Sequence, residues 1–380
     1  MGRLNGPFIY FALSEVNMYV DKIWPGNGKP YRCLVPEKLT DNTCSNLLNA
    51  EIAQQFLSSK WHVGDIRQFT ARYLGGGLCL KHGRTVSRKR LALMELGLTR
   101  QDEVAESVIQ QTRQYDQAVN SLSRRALSQE NICRIHKTLD PYHYNAGNIR
   151  TIQNWVGGSS PDNAHIVPPP PEKLLLLMNE WFEYVSSKKV KTIEDIIVIS
   201  NQFILIHPFN DGNGRLNRAL VDGMLMQLVV DKTSYISPYL YRMANQHQGY
   251  MDTSAIMQGE WQLVFDFWDS ALQWSVDKSQ ELGKCLTQAK QNISNKLVLR
   301  MVSQQAIQLL DVLAQQPIVT THFVAKKMKW STQLSSQTLH ELIDYSVLSS
   351  HLLREPQGTT IFECADILAA WENMDRALFA

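Results

Sequence analysis

The sequence predicts a mainly α-helical protein: a helical body interrupted by one β-hairpin flap, followed by a small helix-turn-helix module at the C-terminus. Three observations predict it. Apolar residues recur at three and four through most of residues 87 to 285, as in "RLALMELGLTRQDEVAESVIQQTRQYDQAVNSL". That period breaks once, at "NIRTIQNWVGGSSPDNAHIVPPPP", where β-prone residues flank glycines and a proline run. Composition shifts again after about residue 295, where short helices alternate with β-prone runs.

Residues 1–85 form an N-terminal region that reads poorly. Turn-rich "WPGNGKP" and "YLGGG" surround one helical stretch, "LLNAEIAQQFLSSKW". Residues 86–285 are the main body. In it, Ser128 before "QENICRIHKTL" has the hydroxyl that caps a helix. The flap runs from about Trp155 to Val167, with Val156 on its first strand, Gly157 and Gly158 at its turn and Ile166 on its return. "PEKLLLLMNEWFEYV" and "IEDIIVISNQFILI" then resume helical spacing. Residues 295–380 are the C-terminal module, with a helix from about His322 to Met328, a turn at Ser331 and a helix from about Ser335 to Tyr345. Two β-prone runs around "EPQGT" complete the order of a winged helix-turn-helix.

Bulk properties narrow the function classes. With 44% hydrophobic and 19% charged residues, and a net charge of +2, the 380-residue chain carries no strong field toward nucleic acid or acidic membranes. Six cysteines without CxxC spacing argue against a zinc knuckle or a disulfide framework. No stretch approaches the roughly 20 apolar residues of a membrane span, no leader is evident, and the cytoplasm is the default location.

The chemistry concentrates in "LIHPFNDGNGRLNRAL", Leu205 to Leu220. One helix is expected to end near His207 and the next to begin near Gly214, because Pro208 stops a helix and Gly212 and Gly214 permit a tight turn. Such a turn presents backbone N–H groups at a helix N-terminus, an anion site suited to phosphate. Arg215 and Arg218, three apart, can share a face toward one polyanion. Asp211 offers the hard oxygen that a phosphate-bound Mg²⁺ accepts, and His207 stands where a general base would. Phe209 reads as the anchor of the turn.

"HPFNDGNGRLNR" resembles, at every fixed position, the HPFxDGNGRxxR signature of the Fic family of protein AMP-transferases. The resemblance extends from about Glu103 to Ala271, through the flap and forward to "SPYLYRMANQHQGYMDTS", and implies a Fic-type helical bundle. It implies that His207 deprotonates a Tyr, Thr or Ser hydroxyl of a target protein, the chain itself included, and that ATP is the AMP donor. Asp211 would hold Mg²⁺; Gly212, Asn213 and Gly214 would cradle the phosphates; Arg215 and Arg218 would pair with them. The flap edge would align an extended target segment by main-chain hydrogen bonds. Tyr250 either touches the adenine or is a buried structural tyrosine. The family's inhibitory helix places a glutamate on the second motif arginine. Glu95 is the candidate here, although Leu91 and Leu96 depart from the pattern [S/T]xxxE[G/N], and "TRQDE" ending at Glu103 fits it only in part.

Two other readings stay open: a DNA-binding regulator whose Fic body senses nucleotide, and a Fic-type enzyme that removes AMP. The C-terminal module could contact DNA through "SSQTLHELIDY" and Lys326, Lys327 and Lys329, or could dock a protein or a second copy of the chain.

Overall fold

The computed structural model describes residues 19–40, 47–60, 66–76, 86–99, 102–188, 190–245, 248–298, 300–353 and 358–379. Most of them are helical. Much of the N-terminal region lies outside the described residues, but part of it supplies an element missed by the sequence reading. Strands β1 (Tyr19–Ile23) and β2 (Pro30–Leu34) pair antiparallel, Tyr19 opposite Leu34, around the turn in "WPGNGK". Helices α1 (Ala50–Ser58), α2 (Ile66–Gly75) and α3 (Arg88–Glu95) follow.

The body is built on α4 (Glu103–Arg124), α5 (Gln129–Leu139), α6 (Pro171–Lys188), α7 (Ile193–Ile206) and α8 (Asn213–Leu228). Ser128 caps α5 by accepting from the Asn131 N–H, as expected. The two helices flanking the motif are the most enclosed. Ile196, Ile197, Ile199, Phe203 and Ile206 of α7, with Leu216, Ala219, Leu220 and Val221 of α8, have no exposed surface. Burial of this kind is the main stabilising term, and it fixes both ends of the polar turn between them. Helices α9 (Tyr239–Ala244) and α10 (Gln248–Met257) lead to α11 (Trp261–Leu297), 37 residues long and so about 55 Å at 1.5 Å per residue.

Helix α11 crosses what the sequence reading left as a break between its two units. Its first half packs Phe265, Trp268 and Leu272 into the main core, and Ala289 and Ile293 join the C-terminal core. That second core lies among α12 (Gln304–Gln315), β3 (Ile318–Val319), α13 (Thr321–Met328), α14 (Thr332–Asp344), β5 (Thr359–Glu363) and α15 (Ala365–Phe379), with the largely exposed β4 (Ser349–Leu353) at its edge. The strands form one antiparallel sheet in the order β3-β5-β4. Ser331 accepts from the Leu334 N–H and starts α14 a few residues earlier than the spacing suggested. Glu341 turns inward, its carboxylate accepting from the Ser303 N–H and hydroxyl at 2.7 and 2.5 Å, while Lys326, Lys327 and Lys329 are exposed. Helix α15 returns to the body. Met374 and Leu378 enter the main core, and Asp375 pairs with Arg72 and Arg88, each at 2.7 Å. None of the described helices is long and apolar enough to cross a membrane.

Candidate active site

The motif turn begins where α7 ends. His207 caps that helix with φ +50°, a left-handed conformation uncommon for a residue with a side chain. Its N–H still donates to the Phe203 carbonyl at 3.1 Å, and its Nδ1 lies 3.1 Å from the Ile204 carbonyl. A carbonyl only accepts, so Nδ1 carries the proton and Nε2 keeps its lone pair. Burial pushes the pKa of this imidazole down to about 4, so it is neutral at pH 7.

Arg150 locks the turn from the other side. Only 1% exposed, it donates from Nε to the His207 carbonyl at 2.9 Å, from Nη1 to Ile152 at 3.1 Å and from Nη2 to Pro169 at 2.5 Å. Its N–H adds a bond to the Pro208 carbonyl at 2.9 Å. One guanidinium thus ties together the motif, the start of the flap and the proline run.

A second histidine shapes the loop. His136 of α5 is buried, with Nε2 donating to the Asp211 carbonyl at 2.8 Å and Nδ1 accepting from the Gly147 N–H at 2.9 Å. Its ring stacks on Phe209 with centroids 3.9 Å apart and an angle of 9°. Burial lowers its pKa, which keeps the neutral tautomer that both bonds require. Gly212 has φ +77°, and a Cβ there would sit 2.9 Å from His136 Nε2, so both backbone and space demand glycine. Phe209 is fully buried, as its anchor reading anticipated. The signal for Arg150 and His136 lay in "GNIR" and "CRIHKTL", but their partners stand 57 and 75 residues away in sequence.

Asn213 departs from expectation. Its side chain is 1% exposed; Oδ1 accepts from the Phe209 N–H at 3.0 Å and Nδ2 donates to the Phe209 carbonyl at 2.7 Å. Both amide groups staple the loop and leave none for a phosphate. Asn154 Nδ2 donates to the same carbonyl at 2.9 Å. What remains for an anion is the backbone: Gly212 caps α8 without a side-chain acceptor, and the first helical bond is Leu216 N–H to Gly212 carbonyl at 2.9 Å. The amides of Asn213, Gly214 and Arg215 are the orphan donors of a helix start.

The two arginines also part ways. Arg215 turns to the end of α5, donating from Nη1 to the Leu139 carbonyl at 3.0 Å and from Nη2 to the Asp140 carboxylate at 2.8 Å. Arg218 gives only Nε, to the Leu74 carbonyl of α2 at 3.0 Å. Among the described residues, no carboxylate pairs with Arg218, and burial lowers its pKa. Glu95 is not its partner. It stands on the rim of a cavity between α3 and α4, where Arg113 and Arg88 are the arginines that act on it. The reason is placement: α3 packs beside β3 and β5, with Ala92 against Ile318 and Ile361, while Arg218 meets the end of α2. The partial match ending at Glu103 includes residues outside the described set.

Asp211 is open, its side chain 71% exposed and one oxygen 4.0 Å from Arg215 Nη2. A lone accessible carboxylate beside a row of backbone amides fits a cation whose other ligands come from phosphate and water. The side chain of Tyr250, on α10, lies outside the described residues.

The flap is shorter than a hairpin. A single antiparallel bridge joins Val156 and Ile166. Beyond it Gly157 and Gly158 take φ +73° and +70°, and Asn163 Oδ1 accepts from the Ser159 and Ser160 amides at 2.9 and 3.0 Å. That side chain consumes donors a second strand pair would have used. The hairpin β1–β2 backs the loop: Trp24 meets the Trp155 ring at 5.4 Å, and the Leu34 N–H donates to the Val167 carbonyl at 2.7 Å.

Comparison with known families places this geometry. The Fic/DOC family model matches residues 126–225, from the start of α5 to α8. This segment matches the Fic domain. The chain is 31% identical over 111 residues to protein adenylyltransferase fic-1 of Caenorhabditis briggsae, and 30% identical over 105 residues to that of Caenorhabditis elegans. These matches cover 28% and 27% of this chain, and only 21% and 20% of the relatives' own length. Among solved structures, a Fic family protein from Desulfovibrio desulfuricans aligns at 16% identity with TM-score 0.44, over 87% of this chain and 98% of its own. Fic-1 from C. elegans aligns at 18% identity with TM-score 0.44, over 62% of this chain and 70% of its own.

Proposed function

We propose that this chain is a protein adenylyltransferase that moves AMP from ATP to a hydroxyl side chain of a target protein. The observation that carries the reading is the pairing of a neutral His207, its Nδ1 committed to Ile204, with the uncapped start of α8 one tight turn away. Nε2 takes the proton of an incoming Tyr, Thr or Ser hydroxyl. The oxygen then bonds to the α-phosphorus, the bond from that phosphorus to the bridging oxygen breaks, and pyrophosphate departs. The amides of Asn213, Gly214 and Arg215 receive phosphate oxygens along the helix dipole. Arg218, with both Nη groups uncommitted among the described residues, pairs with the outer phosphates. Asp211 holds Mg²⁺, which when bound neutralises charge on the phosphates. Asn213 serves by keeping the loop in shape, and the Val156–Ile166 loop offers the edge along which a target segment aligns.

The test is transfer of label from α-labelled ATP with Mg²⁺ to the purified chain and to a lysate, comparing wild type with His207→Ala. Label on protein that disappears in His207→Ala while ATP binding persists supports the reading. Absence of label in wild type with ATP bound overturns it. Release of AMP from an already modified protein would replace it with the reverse reaction.

A further inference from the structure

A cavity of about 130 Å³ lies between α2, α3, α4 and the C-terminal module, lined by Phe69, Arg72, Arg88, Glu95, Thr112 and Trp371 among others. None of the residues of the motif turn borders it. Two of its walls are buried guanidiniums, Arg72 and Arg88, exposed by only 8% and 7%. Asp375 provides one negative charge for both. Arg88 grips it with Nε at 2.9 Å and Nη2 at 2.7 Å, and Arg72 with Nη2 at 2.7 Å. Arg72 Nε is buried with no hydrogen-bond partner, and no acceptor among the described residues takes Arg88 Nη1. Glu95 is at the exposed rim, where Arg113 acts on it before Arg88 does. Two guanidiniums therefore share one carboxylate beside a partly open space, and a further anion there would balance the charge that remains.

We propose that this cavity binds a small free oxyanion of the phosphate class, received by Arg88 Nη1 with the Arg72 guanidinium adding charge beside it. Guanidinium donors match tetrahedral oxyanions in charge and geometry. The space holds several waters and falls short of the roughly 300 Å³ at which sites for drug-sized ligands begin, so a nucleotide is too large for it. Phe69 stacks on Arg88, whose guanidinium lies 3.6 Å from the ring centroid, and holds the donors in place without neutralising them.

The experiment is thermal unfolding and titration calorimetry of the full chain with inorganic phosphate or sulfate, against chloride at matched ionic strength. Two variants accompany it. Thr112→Phe fills the cavity without altering the arginines, and Arg218→Ala removes the motif side chain proposed to pair with phosphates. The expected result is a saturable one-site heat and a rise in Tm of several degrees with phosphate, retained in Arg218→Ala and lost in Thr112→Phe. A response equal in chloride, one retained in a folded Thr112→Phe, or one lost in Arg218→Ala overturns the proposal. Arg72→Gln gives a second check: if it folds, its phosphate response falls at least tenfold in affinity, and an unchanged affinity also overturns the proposal.

Discussion

Replacing Asn213 by alanine separates its two conceivable roles. In the structure the side chain is spent on Phe209, accepting at 3.0 Å and donating at 2.7 Å, and is 1% exposed. Alanine removes both bonds, each with a net worth of about 1 kcal/mol, and leaves the buried Phe209 N–H without a partner for roughly 1–3 kcal/mol in its place. The Phe209 carbonyl keeps Asn154, so its loss is softened. The expected destabilisation is about 2–4 kcal/mol, a fall in Tm of roughly 3–5 °C for a protein of this size. Asn213→Asp should do no better, since a carboxylate can still accept from the Phe209 N–H but meets the Phe209 carbonyl with no donor. Differential scanning calorimetry beside ATP titration reads both quantities. A Tm within 1 °C of wild type for Asn213→Ala, together with weaker ATP binding, would mean that the amide reaches the phosphates and that the staple argument is wrong.

Gly212→Ala forces a side chain into φ +77° and sets its Cβ 2.9 Å from His136 Nε2. Left-handed strain of about 1–2 kcal/mol adds to a weakened His136 bond of about 1 kcal/mol, and a denaturation midpoint unchanged from wild type would contradict this. For His207, burial puts the folded pKa at about 4 against an ordinary value of about 6.5. Its contribution to stability is present above the unfolded value and is lost as pH falls through the folded one. The proposed transfer should therefore hold its rate from pH 7 down to about 5.5, and an acid limb centred near 6.5 in single-turnover measurements would refute the neutral-base reading. Asp375→Asn leaves Arg88 and Arg72 buried without a counter-charge. A loss of about 3–5 kcal/mol and faster proteolysis within α15 are expected, and an unaltered unfolding curve would show that the ion cluster does not hold the C-terminal helix.

Local signals read well in this chain and long-range ones did not. Pro208 and the glycines placed the end of α7 and the start of α8 within a residue, because turn chemistry is decided by neighbours. Ser128 was legible as a cap for the same reason, whereas Ser331 was read as a turn and proves to cap α14. The staple role of Asn213 was hidden because an amide beside glycines suits a phosphate and a backbone equally well; only burial against Phe209 decides between them. Arg215 and Arg218 do lie three apart on α8, yet their partners, Asp140 and Leu74, come from segments whose approach no spacing reveals. The flap carried a true strand signal at Val156 and Ile166, but Asn163, four residues from Ser159, captured the amides that a longer hairpin needs. The 37-residue α11 runs through the break placed between residues 285 and 295 because one continuous helix feeds two cores, which no local signal along it marks.

The unequal ties of the two motif arginines lead to a last prediction. Arg218 keeps both Nη groups uncommitted among the described residues, whereas Arg215 spends both on Leu139 and Asp140. If Arg215 joins the phosphates, it must leave Asp140, and that separation opposes nucleotide binding. Asp140→Asn removes the charge while Leu139 and the loop remain. Arg215 would then exchange partners more readily, and ATP affinity should rise by roughly two- to fivefold, about 0.4–1 kcal/mol, the upper range of a partly exposed ion pair. Calorimetric titration with ATP and Mg²⁺ reads it directly. An affinity unchanged or lower, with a reduced Tm, would show that Arg215 stays on α5 throughout. It would then be a brace between α5 and α8, with Arg218 and the helix amides carrying the phosphates without it.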